Sequence, residues 1–100
     1  MLESEFKEVE INDMGRTLRF RIGLFSCEKG FLFFSKASSE EKFDPMKYLT
    51  DLIGLAVFIP EEGESIPMDN KNVFAMIRSP LAVNNLLEEI VNHQMVFTGG

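Results

Sequence analysis

Near its start the chain alternates polar and apolar residues twice. Val9 and Ile11 stand between Glu8, Glu10 and Asn12, and after Asn12-Asp13-Met14-Gly15 the alternation resumes with Leu18, Phe20 and Ile22 set against Arg19 and Arg21. A period of two belongs to a strand with one buried face. A β-hairpin over about residues 6–11 and 17–22 is therefore predicted, reversed by residues that tolerate tight turns. Glu8 and Glu10 then share the outer face with Arg19 and Arg21, which permits cross-strand ion pairs of small energetic worth.

From Ser26 onward the period changes. Ser26 is a candidate N-cap for a helix over about 27–38 that carries Phe31, Leu32, Phe33 and Phe34 in succession. Four consecutive bulky residues spread around more than half of a helix, so some must meet a second surface, either another helix of the same domain or a partner. Asp44-Pro45 opens a second helix, predicted over 44–58, in which Met46, Leu49, Ile53, Ala56 and Val57 follow helical spacing and Leu52, Leu55 and Phe58 widen the stripe. Pro60 is read as its end, and Glu61 to Pro67 as an exposed loop. Asp69 or Asn70 caps a short helix over 70–78, and Ser79-Pro80 restarts the chain into a helix over 80–93. That helix sets Val83, Leu86, Leu87, Ile90 and Val91 on one stripe. Met95 to Thr98 has strand character and is a possible short strand over 95–98. The fold class is α+β: one domain spanning 1–100, with a hairpin followed by three to four packed helices.

Composition narrows the chemistry more than it names it. Sixteen acidic residues against ten basic ones give a net charge of -6, which disfavours nucleic acid and anionic membrane as partners. No run approaches the length of a membrane span, and the N-terminus lacks the basic and apolar stretch of a signal peptide, so a cytoplasmic setting is expected. One cysteine and one histidine rule out an internal disulfide and a Cys/His metal cluster. Cys27 is expected to be a buried structural residue and His93 a solvent-facing one near the end of the last helix, so neither acts as a nucleophile or base. The adjacent pairs Glu40-Glu41, Glu61-Glu62 and Glu88-Glu89 diverge from one another and are read as solvated charge. Gly15, Gly23, Gly30 and Gly54 are isolated and make no phosphate loop. No catalytic, metal or cofactor site is expected.

The hairpin leads through Thr17-Leu18-Arg19-Phe20-Arg21-Ile22-Gly23-Leu24-Phe25-Ser26 into an apolar helix, followed by helices broken by acidic loops. A late Leu86-Leu87-Glu88-Glu89-Ile90-Val91 helix precedes Met95-Val96-Phe97-Thr98-Gly99-Gly100. This succession resembles the tail assembly chaperones of long-tailed bacteriophages, over most of the chain though through element order rather than a diagnostic motif. The resemblance implies a non-enzymatic role in the host cytoplasm: coating a hydrophobic helical tape-measure protein and recruiting tail-tube subunits. On that reading Leu32, Phe33, Leu55 and Phe58 are the expected partner-binding residues, because they exceed what one apolar stripe needs. The surplus apolar residues on the helices separately leave a homo-oligomer open as an expectation. The competing expectation is a small acidic inhibitor or nucleic-acid mimic that acts on a host nuclease or defence protein, suggested by the charge and the small size.

Overall fold

The computed structural model describes residues 5–37 and 42–98. Among them the fold is α+β: one antiparallel sheet of four strands and four helices. Strands β1 (Lys7–Asp13) and β2 (Arg16–Ile22) form the hairpin, in continuous register from Lys7 opposite Ile22 to Asp13 opposite Arg16. The turn is Met14-Gly15, both with positive φ, at 54° and 92°, the combination that matches the twist of a two-residue hairpin. Asn12 Oδ1 accepts the Gly15 N–H at 3.1 Å and fixes it. Val9, Ile11, Leu18, Phe20 and Ile22 are buried while their alternates face solvent, as the period of two requires. On the solvent face Arg19 donates to Glu8 at 2.8 Å, diagonally across a register that sets Arg19 opposite Glu10.

Helix α1 (Cys27–Ala37) follows, with Ser26 Oγ accepting the Lys29 N–H at 3.2 Å. Helix α2 (Pro45–Ile53) is capped by Asp44, whose side chain accepts the N–H groups of Met46 and Lys47, and it buries Leu49, Leu52 and Ile53. The sequence reading carries this helix to Phe58, and the structure corrects it. Gly54 and Leu55 turn the chain, and Ala56–Phe58 becomes strand β3, paired with Phe20, Arg21 and Ile22 of β2. The apolar run from Leu52 to Phe58 suits both periods, and the open edge of β2 decides for strand. The stretch read as an exposed loop contributes strand β4 (Ile66–Pro67), which pairs with β3 but stays exposed.

Helix α3 (Asn70–Met76) begins with a capping box in which Asp69 and Asn72 exchange hydrogen bonds. Helix α4 (Pro80–Thr98) packs on β1 and α2 and buries Val83, Leu86, Leu87 and Ile90. It runs through 95–98, so the predicted C-terminal strand is absent. The helix is held beyond residue 93 by tertiary bonds from two buried side chains, which override the β preference of Val96 and Thr98. One of these is His93, expected at the surface but 4% exposed, its Nε2 lying 2.9 Å from the Glu5 carbonyl. Cys27 is the reverse case: it is exposed at the first turn of α1, not buried.

One carboxylate fastens the hairpin turn to the helices. Asp13, at the end of β1, is fully buried. It accepts the backbone N–H groups of Arg78 and Ser79 and two bonds from the Arg16 guanidinium. Arg16 in turn donates to the Met76 carbonyl. Burial drives the Asp13 pKa up, but the Arg78 N–H, the Arg16 guanidinium and the Ser79 N–H outweigh it and hold the carboxyl below its ordinary value.

Candidate functional site

Helix α1 is the least integrated part of the fold. None of its described side chains is buried, although Phe31 to Phe34 are its centre. Cys27, Gly30, Phe31 and Phe34 stand at i, i+3, i+4 and i+7, which is one stripe of a helix. That stripe forms one wall of an open groove of about 820 Å³. Leu24 and Phe25 of the β2–α1 connector and Gln94 of α4 complete the lining. Phe31 is 70% exposed. Glu5, Ser26 and Ser35 add polar atoms to a lining that is otherwise dominated by aromatic and aliphatic carbon.

Gln94 explains how an irregular connector can serve as a wall. Strand β2 ends at Ile22, so the backbone groups of Gly23 to Phe25 have no continuous ladder. Buried Gln94 replaces it: Oε1 accepts the Phe25 N–H at 2.8 Å, while Nε2 donates to the Gly23 carbonyl at 2.8 Å and to the Ile90 carbonyl at 3.0 Å. Gly23 N–H donates to the Leu55 carbonyl at 3.0 Å. A glutamine can both donate and accept, which is what this stretch of backbone needs.

Phe33 lies on the other side of α1 and anchors it to the body. Its ring centroid is 5.3 Å from Phe25 and 5.8 Å from Tyr48, and Tyr48 touches Phe43 at 5.4 Å. These separations suit offset or edge-on aromatic contact. Burial pushes the Tyr48 hydroxyl pKa up, and the Glu88 charge adds to the shift.

The four partner-binding residues expected from sequence occupy different settings. Leu32 is half-exposed on α1, whereas Phe33, Leu55 and Phe58 are half-buried and pack against the core. Phe58 lies 5.5 Å from Phe20 in the sheet, and Leu55 is in the turn after α2. None of the four lines the groove. Sequence reasoning passed over Phe31 and Phe34 as groove residues, and the spacing of Cys27, Gly30, Phe31 and Phe34 was the signal that could have found them. Gln94 carried no such signal.

Among the described residues no cluster of three or more His, Cys, Asp or Glu side chains could hold a metal ion, and no helix is long and apolar enough to cross a membrane. Comparison with protein-family models, with curated proteins and with solved structures finds no match to this chain.

Proposed function

We propose that this protein is a non-enzymatic binding and assembly factor whose groove beside α1 receives an apolar helical segment of a partner protein. The observation that carries the reading is Phe31, exposed on the α1 stripe that lines the groove, beside a connector that Gln94 fixes with hydrogen bonds. A groove of this volume matches the range of ordinary binding sites, and the i, i+3, i+4, i+7 spacing is how helices present anchors to one another. The resemblance to tail assembly chaperones supplies the class of partner: a long hydrophobic helical protein of tape-measure type, with tail-tube subunits recruited alongside.

The test is titration of a labelled apolar amphipathic helical peptide into the protein at low and high salt, repeated with Phe31→Glu. Binding that survives high salt and falls by about 30-fold in the variant, the effect of losing a hot-spot aromatic, supports the reading. No binding at all overturns it. Binding only to basic proteins, lost steeply as salt rises, would transfer the assignment to an acidic inhibitor.

A further inference from the structure

Helices α2, α3 and α4 are each fixed by side chains in the core: α2 buries Leu49, Leu52 and Ile53, α3 buries Val73, and α4 buries Val83, Leu86, Leu87 and Ile90. Helix α1 differs. None of its described side chains is buried, and among them Phe33 alone packs against the core, where its ring meets Phe25 of the connector and Tyr48 of α2. The bonds at the start of α1 stay within its own segment: Ser26 Oγ accepts the Lys29 N–H, and the Ser26 carbonyl accepts the Gly30 N–H. The chain just before it is tied to the body instead. Gly23 and Phe25 are bonded to Leu55 and Gln94, and the backbone that these bonds fix ends at Phe25, one residue before the cap.

Separation of Phe33 from Phe25 and Tyr48 would leave α1 to stand alone. It has eleven residues, and a helix shorter than about 12–15 residues is marginal in water. Gly30 weakens it further. Loss of the Phe33 contacts and loss of the helix therefore go together. Cys27, Gly30, Phe31 and Phe34 of this helix line the groove, whereas Phe33 does not. We infer that α1 opens as one unit, independently of the sheet and of α4, that Phe33 is the latch that holds it closed, and that the groove exists only while the latch is closed. The consequence for binding rests on the reading of the groove as the partner site; the opening itself does not.

Amide hydrogen exchange in the whole protein tests this. The amides of residues 31–35 should exchange through an opening that costs less free energy than the one that frees residues 86–90 of α4, and that depends little on urea because it exposes little surface. Phe33→Ala should speed exchange in 31–35 by about tenfold or more, the effect of two lost aromatic contacts, with 86–90 unchanged, and Phe33→Tyr should restore the slower rate. Gly30→Ala should slow the same amides by about two- to fivefold. The helical peptide that tests the groove, at about 100 times its Kd, should slow them by about 100-fold, because it binds only the closed form. The inference is overturned if 31–35 share the protection and urea dependence of 86–90, or if Phe33→Ala speeds both segments alike. A peptide that binds and leaves 31–35 unaffected overturns the link between latch and groove. A peptide that does not bind removes the groove reading, and the exchange of the free protein then decides the latch by itself.

Discussion

The carboxylate of Asp13 accepts the Ser79 N–H at 2.8 Å across a sequence separation of 66 residues. Through this bond the end of the first strand satisfies the backbone just before α4, where a helix start otherwise leaves N–H groups unpaired. The acid therefore joins the hairpin to the start of the last helix.

Stability should respond to acid through this residue. The folded pKa of Asp13 lies below the ordinary 3.8, so its contribution is fully present above the unfolded value and is lost as pH falls through the folded one. Asp13→Asn should be less stable than the parent at pH 7, and the gap should close as the pH drops below about 4. Urea melts at several pH values check this. Curves that stay parallel to pH 2.5 or so would remove the assignment.

Replacing Gln94 by leucine keeps the volume and deletes its hydrogen bonds to Phe25, Gly23 and Ile90. The Phe25 N–H and the Gly23 carbonyl then lose their partner, and each such group costs about 1–3 kcal/mol. Chemical denaturation should report a loss of about 2–6 kcal/mol for the two groups together. Gln94→Leu should also speed hydrogen exchange at Phe25 before it affects the hairpin.

Met14 holds a left-handed backbone with its side chain in solvent. A residue other than glycine or asparagine is strained there by about 1–2 kcal/mol. Met14→Asn creates the preferred Asn-Gly turn and removes no buried contact, so thermal unfolding should shift upward. The opposite substitution, Gly15→Val, should lower it.

Gly30 interrupts α1 at a cost of about 0.5–1 kcal/mol relative to alanine. A methyl group there would meet Phe25 Cβ at 3.5 Å, an ordinary contact distance. Gly30→Ala should therefore stabilise the protein by that amount while narrowing the groove. If the groove is the partner site, stability and peptide affinity will move in opposite directions in this variant.

The hairpin was legible because alternation and turn chemistry agree with each other locally. Asp44-Pro45 and Ser79-Pro80 marked helix starts for the same reason. The end of α2 was not legible: Ala56 to Phe58 is apolar in either period, and what makes it a strand is Phe20 to Ile22, more than thirty residues upstream. The tail of α4 misled in the same way, since His93 and Gln94 are fixed by Glu5 and Phe25 at the other end of the sequence. In α1 the run of aromatic residues drew attention to neighbours in sequence, whereas the groove selects residues three and four apart.

The bond between Phe25 and Gln94 spans 69 positions. At synthesis rates of about 5–20 residues per second, that separation corresponds to roughly 3–14 s between the emergence of the connector and that of its partner. During that interval the phenylalanines of α1 leave the ribosome with no Gln94 to fix the wall beside them. Until α4 emerges, the connector beside α1 lacks the hydrogen bonds that fix it.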